Sequence, residues 1–390
     1  MSSNDYLIRV QDSLAALPES LWDGLLAQQA QPTPFLRHAY LMALEDSGSA
    51  VPATGWLPQV ISLWHGDALQ AACVLYVKNH SYGEYVFDWA WAQAYQQHGL
   101  NYYPKAVLAV PFTPVPGARL LAVDAAAREA LLGAVLTHCE KLQLSSLHLL
   151  FGSQDDLQAC AALGLMQRHT VQFHWDNQAY RDFDDFLSQL NQEKRKKIRQ
   201  ERRKVEQAGV RFRWAQGSDI SEADWDFFYR CYERTYLEHG NPPYLSRAFF
   251  AAQALHQSES WLLFIAERDG QAMASSLIAL QTASDAQGRL VRTAYGRYWG
   301  ALERVDCLHF EACYYQPLAW CIAQGYDRFE GGAQGEHKMA RALMPVNTHS
   351  AHWLAHPAFA DAVQRFLERE GEGIQNYLED LRAHSPFKAG

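Results

Sequence analysis

The chain has 390 residues, of which 48% are hydrophobic, 20% charged and 13% aromatic, with a formal net charge of −9. At roughly 100–200 residues per domain this length predicts two or three domains, and the apolar content excludes disorder, collagen and coiled coil as whole-chain descriptions. No uncharged apolar run approaches the ~20 residues that span a bilayer, and residues 1–10 carry Asp5 and Arg9, so a soluble, unexported, cytoplasmic protein is expected.

The first elements read as a hairpin, with strands over 56–65 and 68–77 and a turn at His65-Gly66-Asp67. A strand at 107–110, the pair Gly117-Ala118, a helix over about 125–142 capped by Asp124 and a strand at 146–151 follow. Phe183, Phe186, Leu187 and Leu190 then mark one buried helical face. From Lys194 to Lys204 eight of eleven residues are basic and one is acidic, so a run of net +7 sits in an acidic chain. Its thin apolar seam, Ile198, Val205 and Ala208, predicts a helix over 192–208 docked by a narrow edge with its charge in solvent. Such a strip attracts phosphate, although charged helices also serve as plain solvated surface.

The opening pattern then returns. Strands are expected at 260–268 and 271–280 around Asp269-Gly270, then at 290–299, followed by Gly300-Ala301, an N-cap at Asp306, a helix over about 307–323 that Pro317 should break, and a strand at 326–330. A C-terminal helix follows, with an interruption expected near Gly371-Glu372-Gly373. The chain reads as a degenerate tandem repeat. Asp67 to Gly117 spans 50 residues where Gly270 to Gly300 spans 30, which places an aromatic-rich insertion at 79–105 in the first copy.

Two hairpin-strand-helix-strand units, with the strings SYGEYVFDWAWA, VPFTPVPGARLL, KRKKIRQERRKV and FEGGAQGEHK, resemble the FemAB-like, GNAT-related N-acyltransferases over nearly the whole chain. The resemblance implies an α/β fold of two tandem GNAT-like domains, each a mixed, mostly antiparallel sheet flanked by helices. The expected domains are 1–178, carrying the inserted loop 79–105, and 179–390, opening with the basic helix. It further implies transfer of an aminoacyl or other acyl group to an amine, such as one of a peptidoglycan precursor. The alternatives are an acyl-CoA-dependent acetyltransferase and a non-catalytic protein that binds peptidoglycan or nucleic acid. No tightly bound cofactor is expected; the acyl donor would be an aminoacyl-tRNA or acyl-CoA, with a tRNA contact through 194–204.

Amide formation from an ammonium group needs a base, donors for the oxyanion and exclusion of water. Asp88 aligns with a proposed base of Fem-type enzymes, without the Gly-Pro pair that precedes it there, and its neighbours Phe87 and Trp89 would raise its pKa. It equally suits the N-cap of a helix starting at Trp89. Glu330, Glu336 and His337 flank a run with three glycines in five residues and are the other catalytic candidates. Tyr82, Glu84, Trp89, Tyr103 and Lys338 are candidates for binding substrate. Arg297 and Gly300 match the GNAT donor signature, which fails at Leu302; with Lys196, Lys197, Arg202 and Arg203 they are the donor-binding candidates.

Seven cysteines, an odd number without a C-x-x-C pair, predict reduced thiols. His349 and His352 in a strand would face opposite sides, so no metal site is expected. Walker, G-x-S-x-G and H-E-x-x-H motifs are absent from the sequence.

Overall fold

The computed structural model describes residues 6–388 apart from Ala286 and Gln334, and only the backbone at Ala333 and Glu336. Two compact units form, one from the residues up to Thr170 together with Asn347–Gln375, the other from Val171–Val346 with Asn376–Gly390.

The first unit contains β1 (Leu7–Gln11), α1 (Glu19–Leu26), α2 (His38–Asp46), β2 (Leu57–His65), β3 (Ala68–Lys78), α3 (Trp89–Gln97), β4 (Lys105–Leu108), β5 (Leu121–Ala122), α4 (Ala125–Lys141), β6 (Ser146–Leu149), α5 (Gln154–Ala162) and the start of β7 (Met166–Asp176). β2 and β3 form the expected antiparallel hairpin, β4 pairs antiparallel with β3, and β6 runs parallel to β4. Asp124 caps α4, its carboxylate accepting from the Ala127 amide at 2.8 Å. Leu131, Leu132 and Val135 of that helix bury against Ile61, Leu63, Cys73 and Leu75 of the hairpin. Beyond Leu108 the parallel pairing is continued by other means. The Leu150 amide donates to the Leu108 carbonyl and Gly117 to Phe151, both at 3.0 Å, and the buried Arg119 guanidinium donates to the carbonyls of Val115, Gly117, Ala118 and Leu150.

The second unit continues β7 and contains α6 (Phe183–Gln189), α7 (Gln192–Gln207), β8 (Arg211–Gln216), α8 (Glu222–Glu238), α9 (Arg247–His256), β9 (Trp261–Arg268), β10 (Gln271–Ser284), β11 (Leu290–Ala301), α10 (Leu308–Phe310), a π turn (Glu311–Tyr315), α11 (Gln316–Gln324), β12 (Arg328–Ala333) and the start of β13 (Met344–Leu354). β9 and β10 form the second hairpin, β11 is antiparallel to β10, and β12 is parallel to β11. The core gathers Phe264, Ile278, Ala294, Leu318, Cys321 and Phe329.

Three local expectations are corrected. Pro317 does not break its helix; it lies in the first turn of α11, directly after the π turn, where its missing N–H and fixed φ are tolerated. The residue before α10 is Cys307 at φ +65°, so Asp306 caps nothing and instead takes a hydrogen bond from Lys204 at 2.7 Å. α12 (Pro357–Ala383) runs unbroken through Gly371 and Gly373. The units also differ from the expected division at 178/179. From Val171, β7 belongs to the second unit and pairs with β12, while β13 from Asn347 belongs to the first and pairs with β6. Each copy of the repeat thus ends in the other's unit.

Candidate active site

In the first unit the chemistry concentrates beneath the inserted loop. β3 and β4 are apolar strands ending and starting in lysine, and their antiparallel register places Lys78 opposite Lys105. Both lysines are buried. The Lys105 ammonium donates to Ser81 Oγ at 2.7 Å, Glu84 Oε2 at 2.7 Å and Asp88 Oδ2 at 2.5 Å. Lys78 donates to the Tyr82 carbonyl at 3.0 Å, lies 3.7 Å from Glu84 Oε1 and sits 3.3 Å over the Trp56 ring. Two cations and two anions make the group electroneutral, which is how buried charge is tolerated. Burial lowers Lys78 to about 7 against the pull of Glu84, and raises Glu84 to about 7 against the pull of Lys105.

Asp88 occupies the N-cap position of α3 but makes no cap hydrogen bond with its side chain. Its Oδ2 accepts from Lys105 and, at 2.6 Å, from the Tyr102 hydroxyl, while Oδ1 has no partner among the described residues. Burial by itself would raise the carboxyl, but Lys105, His148 and the two hydrogen bonds outweigh it and hold it at about 2. The expected upward shift from Phe87 and Trp89 is therefore reversed, because the carboxylate turns inward to an ammonium group. Glu84 is corrected likewise: it is buried between two lysines and presents nothing at the surface.

Sequence reasoning passed over the rest of this network. The Tyr102 oxygen lies 3.0 Å from His148 Nε2, and His148 Nδ1 lies 2.7 Å from His352 Nδ1. Burial lowers both imidazoles, His148 to about 3, so both are neutral at pH 7. The Tyr102 hydroxyl donates its proton to the hydrogen bond with Asp88, and His148 Nε2 also lies 2.8 Å from the Ser146 hydroxyl. Above the network Tyr82, Phe87 and Trp89 are exposed, with Tyr82 and Trp89 edge to face at 5.3 Å, while Tyr103 bonds Ser81 at 2.8 Å.

In the second unit the focus is Glu330. Its residue pairs with Tyr295 of β11 on one side and His174 of β7 on the other, and after it both ladders lose regular register. Gly331 and Gly332 make that departure possible: a Cβ on Gly331 would lie 2.3 Å from Leu343, and Gly332 has φ +75°. The Glu330 side chain is 12% exposed, its Oε2 lies 3.7 Å from His174 Nε2, and that oxygen has no hydrogen bond among the described residues. Burial raises the carboxyl to about 8, only partly opposed by Arg328. Burial also lowers His174 to about 3, leaving it neutral.

Lys338 follows on a buried turn, donating to the Gly332 carbonyl at 3.3 Å, and burial lowers it to about 8. His337 is exposed, its Nε2 3.5 Å from the Tyr314 hydroxyl, and it shares no hydrogen bond with Glu330 among the described residues. The side chain of Glu336 lies outside the described residues.

The donor candidates separate. Arg297 lies at the irregularity between β10 and β11 and is among the charges acting on Glu330. Gly300 is not in a loop but within β11, where a Cβ would stand 1.9 Å from the Cys231 carbonyl of α8; the glycine admits a helix to the strand. Beyond it the acids Glu303 and Asp306 are held by Arg268 and Lys204. On α7, Lys196, Lys197 and Arg203 are exposed and carry no ion pair among the described residues, whereas Arg202 is tied to Glu311 at 3.2 Å. The one acid in the basic run, Glu201, is buried and takes the Arg341 guanidinium at 2.9 and 3.1 Å, with the Tyr315 hydroxyl as a further donor.

Asp88, Glu84, Tyr82, Trp89 and Tyr103 thus belong to the first unit, and Glu330, His337, Lys338 and the donor candidates to the second. Groups of three or more metal-ligating side chains are absent among the described residues, and no described helix is long and apolar enough to cross a membrane.

This is the α/β fold of tandem GNAT-like domains. The crystal structure of FemX superposes with a TM-score of 0.53 at 10% identity, over 91% of this chain and 100% of that one. L-PGS from Bacillus licheniformis gives 0.50 at 11% identity, over 87% and 98%. No curated protein sequence matches the chain. Residues 13–389 match the FemAB-like family, described as peptidoglycan biosynthesis/recognition, and the chain belongs to that family.

Proposed function

We propose that the protein is an N-acyltransferase that moves an aminoacyl or other acyl group onto an amine of a peptidoglycan precursor. The observation that carries this reading is Glu330, a buried carboxyl with an oxygen that has no hydrogen bond among the described residues and a pKa of about 8, at the point where β12 stops pairing with β11 and shifts register against β7. Such a group takes a proton from an ammonium near neutral pH far better than a carboxyl held at 2. The freed amine attacks the acyl carbonyl, and the protonated Glu330 returns its proton to the departing oxygen. Asp88, by contrast, is a permanent anion that anchors Lys105 and Tyr102.

An aminoacyl ester on tRNA is the donor that the charges favour. At the turn after β11, Glu303 and Asp306 already engage the cations Arg268 and Lys204, and the space at Gly300 is filled by α8, so little is left there to hold a CoA pyrophosphate. The exposed cations of α7 suit RNA. The test is mass spectrometry of a lysine-containing precursor peptide incubated with aminoacyl-tRNA or with acetyl-CoA. Acyl addition from tRNA that Glu330→Gln abolishes is expected. Addition from acetyl-CoA alone would replace the donor, and no addition from either would remove the reading.

A further inference from the structure

We infer that the hollow beside the basic helix binds the phosphodiester backbone of RNA, a proposal that rests on the tRNA-donor reading and gives it a place. The hollow has a volume of about 460 Å³ and is walled by α6, α7, β8 and the π turn. Arg199, Arg202, Arg203 and Arg211 line it. Guanidinium forks match phosphate oxygens two at a time, and four around one hollow concentrate that chemistry.

Three acids share the hollow, and they are not equivalent. Asp184 meets Arg199 at 3.2 Å and Glu206 meets Arg211 at 3.9 Å, in pairs whose side chains are all more than half exposed. Exposed pairs of this kind hold weakly and give way to a phosphate. Glu311 is different. Only 5% of its side chain is exposed; it takes Arg202 Nε at 3.2 and 3.3 Å and is fixed from behind by Gln316 at 2.7 Å. Arg202 is also laid over the Phe183 ring at 4.6 Å. Its two terminal nitrogens carry no hydrogen bond among the described residues, so a guanidinium is held rigidly with its fork unused. Arg203 is exposed and has no ion pair among the described residues.

The polymer rather than a small phosphate follows from continuity. Lys196, Arg199 and Arg203 stand at i, i+3 and i+7 on one helical face, so the cationic track runs out of the hollow along exposed helix. A ligand with charges repeated along its length engages both parts.

The test is fluorescence anisotropy of the full chain with a labelled single-stranded RNA of about 12 nucleotides across a KCl series. Arg199→Gln with Arg203→Gln should weaken binding about tenfold or more and reduce the salt slope by about 1 to 2. Glu311→Gln removes a negative charge, so charge alone would tighten binding; weakening, in a variant with native circular dichroism, marks the loss of a positioned Arg202. An unchanged slope in the double variant overturns the site, as does displacement of the RNA by uridine diphosphate at micromolar concentration, which would mark a nucleotide pocket. Binding is read without turnover. Failure here therefore leaves the acyl-transfer assay to decide the reaction, and RNA binding without transfer from any donor overturns the reaction but leaves the site.

Discussion

In the first unit two lysines and two carboxylates are buried as one ion-paired group, with Lys105 touching Glu84, Asp88 and Ser81 at once. In the second unit Glu330 is buried 3.7 Å from a neutral histidine, with one oxygen lacking a hydrogen bond among the described residues. The same repeat therefore treats buried charge in two ways. Where the parallel strands β4 and β6 are bridged onward by 109–119, the carboxylates are fixed by lysine, which holds Asp88 at about 2 while burial leaves Glu84 at about 7. Where β12 parts from β11 after Glu330, the carboxyl is left with a pKa suited to moving a proton. A direct lysine partner makes a scaffold, and its absence among the described residues makes a reactive group.

The sharpest way to break this comparison is Glu330→Gln. If Glu330 is the base, kcat/KM for acyl transfer should fall by about 10²–10⁴, and the wild-type profile should rise with pH up to about 8. The same raised pKa works against the fold. Between the ordinary carboxyl value and 8, the folded chain holds a proton that the unfolded chain releases, so stability falls as pH rises through that window. The glutamine variant should then be more stable than wild type at pH 9, by at most roughly 5 kcal/mol, and indistinguishable at pH 4. Urea titrations at the two pH values decide this; equal stability at pH 9 would mean that Glu330 is not held away from its ionised form.

Lys105→Met tests the other side. It leaves Glu84 and Asp88 buried without their shared cation, and should cost about 3–5 kcal/mol in urea unfolding at pH 7. A loss below about 1 kcal/mol would show that the group is hydrated and that the contrast between the units is false.

How much of this was legible in the sequence can be seen at Lys78 and Lys105. The hairpins were, because turn residues and alternating β-branched stretches act locally. Two lysines closing apolar strands, in VLYVK and KAVLAV, read as solvated ends, and only the β3–β4 register reveals that they face each other in the interior. His148 and His352 lie 204 residues apart, and no local pattern links them. Periodicity could have placed both at inward positions of short apolar strands, and that was the available signal. Gly300 misled for the opposite reason. It matched a donor motif, while its actual constraint comes from α8, some 70 residues earlier. The exchange of β7 and β13 between units is a property of long-range pairing, which competing strands of similar composition leave undetermined until the chain is folded.

A smaller effect is expected at Asp88. Its pKa, lowered in the fold to about 2, supplies stability that is full above the unfolded carboxyl value and lost as pH falls through 2. Asp88→Asn should cost about 2–3 kcal/mol at pH 7, with the difference from wild type shrinking as pH drops toward 2. If Asp88→Asn instead abolishes acyl transfer while Glu330→Gln retains it, the base belongs in the first unit and the assignment of roles is inverted.

The smallest difference separates two glycines at matching places in the repeat. A Cβ on Gly117 would meet the Thr33 methyl at 2.6 Å and the Gln31 carbonyl at 3.2 Å, a side-chain end that can turn away. A Cβ on Gly300 would meet the Cys231 carbonyl at 1.9 Å, backbone within a helix that has to move as a body. Gly300→Ala should therefore cost about 2–3 kcal/mol and Gly117→Ala about 1 kcal/mol in parallel urea titrations. Because Gly300 is held by packing and not by a donor phosphate, its variant should lose stability without a change in RNA affinity or in the KM for the acyl donor. A raised donor KM at unchanged stability would return this glycine to the donor site and, with it, the acyl-CoA reading.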